Sequence, residues 1–154
     1  MHDVLTGKAV TGCIHFINKT PIMWYSKKQA TTETATYGAE FCAGRTCIKQ
    51  IVDLRNTLRY LGVPLHETSY VFGDNESMIN SSKYRESKLH KRHNILSYHY
   101  VKSMISRGFI SLNHLDSKSN VADVVTKHWA LGSVQLLLKA VLGHCGDTAD
   151  LYDG

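Results

Sequence analysis

The chain has 154 residues, 43% of them hydrophobic and 20% charged, with only two prolines. That length sustains one domain with its own core, and the composition excludes wholesale disorder. No apolar run reaches the eighteen or so residues needed to cross a bilayer, and the N-terminal residues carry no signal-peptide core. An intracellular protein, cytoplasmic or nuclear, is expected. The net charge of +5 suits a polyanionic partner. Cys13, Cys42, Cys47 and Cys145 form no CxxC pair, so free, mostly buried thiols are expected rather than a zinc site or a disulfide framework.

Residues 10–18 alternate, with Val10, Ile14 and Phe16 on one face and Thr11, Cys13 and His15 on the other, the period of a strand. Residues 18–21 are a turn and 22–26 return as a second strand, giving an antiparallel hairpin. Thr31 and Thr32 are N-cap candidates for a long helix in which Tyr37, Phe41, Ile48, Ile51, Leu58 and Leu61 recur at helical spacing. Gly62 stands where the helix should stop, and Pro64 forbids continuation. Residues 70–72 form a short apolar strand that ends at Gly73-Asp74, followed by a short helix around 77–80.

A helix carrying Leu96, Tyr100 and Met104 ends at Gly108. Residues 109–115 are strand-like, 116–120 form a loop, and Val121 opens another helix. Val134, Leu137, Leu138, Val141 and Leu142 make an amphipathic stripe. The expected organisation is one α/β domain with a mixed sheet over residues 1–142, then a flexible acidic tail over 143–154.

Three acids sit where active-site acids tend to sit. Asp74 follows the carboxyl end of a buried strand, the ligand side of an open α/β sheet. Glu40 lies in the first turns of the long helix, and Asp123 in the first turn of the helix after the last strand. Carboxylates from separate elements that meet at one sheet edge can hold two divalent ions, an arrangement suited to phosphodiester hydrolysis. Oxygen-only ligands select Mg²⁺ or Mn²⁺. Each acid has a second reading: Asp123 answers the helix dipole, Asp74 caps the short helix, and Glu40 faces solvent.

Residues 83–92 interleave Lys83, Arg85, Lys88, Lys91 and Arg92 with Tyr84 and His90. This is either a grip on a phosphate backbone or a solvated basic loop. Trp24 and Trp129 read as core or edge packing. His93 and His99 are spaced wrongly for a metal pair on one helix face, so packing or hydrogen bonding is expected of them.

Read together, several segments resemble the RNase H domain of copia-type retrotransposon polymerase polyproteins. Thr11-Gly12 through Trp24-Tyr25-Ser26-Lys27-Lys28-Gln29 resembles the family's "SG…P(I/V)xWxSKKQ" hairpin. The stretch ending Ala39-Glu40-Phe41 is similar to its "STEAEY" helix start, and Phe72-Gly73-Asp74-Asn75-Glu76-Ser77 to its "xCDNxSA" strand end. Arg92-His93 with Tyr98-His99-Tyr100 resembles "KHI…YHF". Ser117, Asn120, Ala122-Asp123 and Thr126-Lys127 resemble "(S/T)xx(N/Q)xADxxTK". The resemblance covers about residues 8–129.

What the resemblance implies is an RNase H-like mixed sheet, an antiparallel hairpin plus parallel strands, with helices packed on it. It further implies two-metal hydrolysis of the RNA strand of RNA–DNA hybrids, using Mg²⁺ or Mn²⁺ held by Glu40, Asp74 and Asp123. The partners implied are hybrid nucleic acid and the upstream reverse-transcriptase segment, with no membrane. The family's first metal-binding Asp lies on a strand ahead of the hairpin, and two residues before Asp3 leave no room for it. Asp3 matches a second, non-catalytic acid of the family. The missing first strand belongs at the centre of the sheet, between the hairpin and the Tyr70 strand. Ile95 replaces an acid of the family pattern, and residues 116–120 contain no His. Two outcomes are therefore expected: a nuclease piece that is weak or inactive by itself, or a catalytically dead remnant that binds nucleic acid.

Overall fold

The computed structural model describes residues 9–29, 36–83, 95–127 and 141. Strands β1 (Val10–Ile17) and β2 (Thr20–Lys28) form the expected hairpin. Its two-residue turn places Asn18 at φ 57°, a left-handed conformation that asparagine tolerates. Ile14 lies opposite Trp24, and a bulge follows His15, beside Pro21. Proline is tolerated there because β2 is an edge strand and Pro21 sits at the irregularity.

Helix α1 (Thr36–Tyr60) is followed by β3 (Ser69–Gly73), α2 (Glu76–Lys83), α3 (Ile95–Ser106) and β4 (Ile110–His114). Strands β3 and β4 pair in parallel, Val71 opposite Leu112. The helix stops fall where the glycines predict them. Gly62 at φ 80° donates to Arg59 O at 2.9 Å while Val63 donates to Leu58 O at 2.9 Å, closing α1 with a double-bonded C-terminal cap. Gly108, φ 67°, ends α3 with the same pair of bonds, to Ile105 O and from Phe109 to Met104 O. Beyond β4 the chain makes two 3₁₀ turns, Ser117–Ser119 and Val121–Val125. A 3₁₀ turn therefore stands where the sequence suggests that a longer helix opens at Val121.

The main core lies between the three helices and the β3–β4 pair. Phe41, Ile48 and Ile51 of α1 meet Val71 of β3, Met78 and Ile79 of α2, Tyr98, Val101 and Met104 of α3, and Ile110 and Leu112 of β4. Phe41 and Tyr98 pack edge to face with ring centroids 5.3 Å apart.

The hairpin docks on α1 through its more polar face. Thr11, Cys13 and His15 are buried, each against a partner. Gln29 Nε2 donates to Thr11 Oγ1 at 2.9 Å, His15 Nε2 bonds Gln50 Oε1 at 2.8 Å, and the Cys13 thiol bonds that of Cys47. Satisfied polar groups can be buried at little net loss, which is why this face turns inward. The opposite face carries Phe16, Ile22 and Trp24 into solvent. Trp24, 71% exposed, thus corrects the expectation that it packs in a core or at an edge. Trp129 lies outside the described residues.

The two strand pairs stay separate: among the described residues β1 pairs with β2 and β3 with β4, with no ladder between the pairs. Between them runs a cleft of about 600 Å³. Its walls include the consecutive residues 12–18 of β1 and its turn and 68–75 of and around β3, and its floor includes Cys47, Ile51 and Leu54 of α1. Consecutive rather than alternate residues mark these walls as strand edges, because a strand's face exposes every second residue. The observed architecture is a mixed α/β one, with an antiparallel hairpin, a parallel pair and helices.

Candidate functional site

At one end of this cleft a smaller cavity of about 210 Å³ is lined by Glu40, Asp74 and Asp123 together, with Gln29, Asn120, Thr126 and Lys127. The three acids singled out in the sequence thus come to one place from three separate elements.

Glu40 is brought there by the seating of α1. Gln29, at the end of β2, donates through Nε2 to Ala39 O at 2.9 Å as well as to Thr11, and its backbone N–H donates to Ala9 O at 2.8 Å. One amide side chain thereby fixes the start of α1 against both hairpin strands. Glu40 is half-buried, and its carboxyl is pushed above the usual glutamate range. Burial is the largest cause; the charges of Asp74 and Asp123 add to it and Lys127 opposes it. A solvent-facing Glu40 is thereby corrected.

Asp74 follows Gly73 at the carboxyl end of β3. The cap of α2 comes not from this acid but from its neighbour, as Asn75 Oδ1 accepts from Met78 N at 2.9 Å. Asp123 is carried by the 3₁₀ turn Val121–Val125, whose N-cap Asn120 accepts from Ala122 N at 3.1 Å. Gly12 lets this turn sit directly on β1, and Ser26 Oγ donates to Val125 O at 2.6 Å from β2. Asp123 is only 6% exposed, and its Oδ2 accepts an ion-paired hydrogen bond from Lys127 Nζ.

The donor set consists of hard oxygens. Besides three carboxylates the cavity wall includes Gln29, itself 9% exposed, whose Oε1 is buried with no hydrogen-bond partner among the described residues. Such donors match Mg²⁺ or Mn²⁺ in type. Yet among the described residues no three His, Cys, Asp or Glu side chains stand close enough together to hold a metal ion as they are. The ligand types fit a divalent ion; their spacing does not yet enclose one.

Of the basic segment, Lys83 is the exposed last residue of α2, while Arg85, Lys88, Lys91 and Arg92 lie outside the described residues. So do Asp3, His93, Cys145 and residues 143–154. His99 is exposed on α3, beside the Tyr98 ring. Cys13 is buried, and Cys42 and Cys47 are half-buried. Among the described residues no helix is long and apolar enough to cross a membrane. Sequence reasoning had missed the positioning role of Gln29 and the pairing of Lys127. The i, i+4 spacing of Asp123 and Lys127 was the signal available for the second.

No protein-family model matches the chain, and no solved structure does. Among curated proteins it is 29% identical over 126 residues to the retrovirus-related Pol polyprotein from transposon TNT 1-94 of Nicotiana tabacum, covering 81% of this chain and 9% of that one. The Pol polyproteins from transposons RE2 and RE1 of Arabidopsis thaliana are 23% and 22% identical over 121 residues, each covering 77% of this chain and 8% of theirs. The chain spans less than a tenth of the length of these relatives. Over about four-fifths of its own length, it is similar to retrovirus-related Pol polyproteins of copia-type transposons.

Proposed function

We propose that this chain is the ribonuclease H segment of a retrotransposon Pol polyprotein, with an RNase H-like fold, acting on the RNA strand of RNA–DNA hybrids. The observation that carries the reading is the meeting of Glu40, Asp74 and Asp123 at the rim of one cavity, each from a different element. In this reading the three carboxylates hold Mg²⁺ or Mn²⁺, which supplies an activated water and charge stabilisation for phosphodiester hydrolysis. The basic residues Lys83, Arg85, Lys88, Lys91 and Arg92 hold the backbone of the hybrid.

The cleft between β1 and β3 supports the further expectation that upstream polyprotein supplies a strand with a fourth acid. A strand residue fills roughly 150 Å³, from spacings of about 4.8, 3.3 and 10 Å. The cleft of about 600 Å³ therefore matches about four such residues.

The test is hybrid cleavage with Mg²⁺, comparing the 154-residue chain with one extended upstream by the preceding polyprotein sequence. The extended chain is expected to cut, the short one to remain at background, and Asp74→Asn to abolish cutting. Robust cleavage by the short chain that vanishes in Asp74→Asn would overturn the need for an added strand. No cleavage by either leaves the second reading, a nucleic-acid-binding remnant without catalysis. That reading predicts salt-sensitive binding whose log–log slope flattens when Lys88, Lys91 and Arg92 are neutralised.

A further inference from the structure

We propose that Lys127 is a tethered cation that competes with a divalent ion for Asp123, and so sets how tightly the acid cavity takes metal. This rests on reading Glu40, Asp74 and Asp123 as metal-holding carboxylates.

The cavity is strongly unbalanced in charge. Three carboxylates line it, and Lys127 is the single Lys, Arg or His among the described residues of its wall. Its ammonium lies directly on Asp123 Oδ2. The side chain of that aspartate is 8% exposed and that of the lysine 34%, so one partner is desolvated while the other keeps a route to water. On an open surface an i, i+4 pair of this kind contributes little. Here the carboxylate is buried among like charges, and an unpaired anion in that position is costly.

The backbone of the turn keeps the two residues together. Lys127 N donates to Asp123 O at 3.0 Å, and Thr126 N and Oγ1 donate to the same carbonyl at 3.1 and 3.3 Å. The lysine is thereby anchored at its backbone, while its four-carbon stem leaves the ammonium free to swing aside. A divalent ion at this place must displace the ammonium from Oδ2. Once displaced, the ammonium remains at the rim of the cavity as a point charge for a phosphate oxygen.

The experiment measures Mn²⁺ binding by electron paramagnetic resonance of the free ion, with thermal unfolding beside it, for the full chain and for Lys127→Met and Lys127→Gln. Both variants are expected to bind Mn²⁺ about tenfold more tightly, equivalent to about 1.4 kcal/mol. Both should melt lower than the parent without metal and recover more of the difference when Mn²⁺ is added. The glutamine variant retains a polar reach to Asp123 should the methionine variant fail to fold. Equal or weaker Mn²⁺ affinity in the folded variants overturns the proposal, and so does an absence of Mn²⁺ binding by every form at millimolar concentration. Hybrid cleavage by the strand-extended chain reads the nuclease assignment separately. Tighter Mn²⁺ binding without cleavage sinks only the nuclease; cleavage with unaltered Mn²⁺ affinity sinks only the lysine's role.

Discussion

Replacing Gly12 with alanine should undo the contact that holds Asp123 in place. A Cβ on Gly12 would lie 2.1 Å from Thr126 Cγ2, 2.9 Å from Val125 Cγ2 and 3.2 Å from Ala122 O. Ordinary carbon contacts fall at about 3.5–4.0 Å, so the 3₁₀ turn must retreat from β1 by more than an ångström. Rotating Thr126 away is resisted by its hydroxyl, which donates to Asp123 O at 3.3 Å. Retreat of the turn also stretches the bond from Ser26 Oγ to Val125 O. Overpacking of this kind, with one strained hydrogen bond, costs about 2–3 kcal/mol. For a chain of this size that lowers Tm by about 5–10 °C. The matched control is Gly73→Ala, where a Cβ meets nothing within 4 Å and stability should stay within about 0.5 kcal/mol. Thermal unfolding followed by circular dichroism decides between them. A Gly12→Ala chain that melts with the parent would refute the docking of the turn on the hairpin, and with it the placement of Asp123.

Glu40→Gln should raise stability at neutral pH. The carboxyl is held up by burial and then by the charges of Asp74 and Asp123, so its protonated form is favoured in the folded state. Its contribution is fully present below the unfolded value of about 4.3 and is lost as pH rises through the folded one. The advantage of the glutamine variant should therefore shrink on acidification and vanish below about pH 4, and a pH-independent difference in denaturant midpoint refutes this. Phe41→Ala empties a site that is fully buried in the helix-facing core, and should cost about 3–5 kcal/mol in urea unfolding; a loss under about 1 kcal/mol would refute that packing. The Cys13 thiol is held protonated by its bond to Cys47 and by burial. Iodoacetamide followed by peptide mass mapping should therefore label half-buried Cys42 well before Cys13, and prompt labelling of Cys13 would mean that the hairpin does not lie on α1.

Elements governed by local rules were legible in the sequence. Alternation gave the hairpin, and the glycines at 62 and 108 stop α1 and α3 where C-terminal caps require them. The three acids were legible as element-end carboxylates, and their convergence followed from the topology of the strands that precede them. What stayed hidden was set by long-range partners. Hydrophobicity would turn Ile14 and Phe16 of β1 inward, yet Thr11 and His15 are buried because Gln29 and Gln50 stand ready to bond them. The neighbour of Asp74 took the cap of α2, a choice between adjacent residues that spacing does not resolve. The exposure of Trp24 likewise depends on which face of the hairpin α1 covers.

The open seam between the two ribbons also governs how the isolated chain behaves in bulk. Unsealed ribbon borders are templates for pairing with other molecules, and a lone hairpin is barely stable in water. Preparations of the short chain should therefore self-associate as concentration rises, whereas a covering segment joined to it should keep it dispersed. Light scattering across a dilution series would display that contrast before any substrate is added.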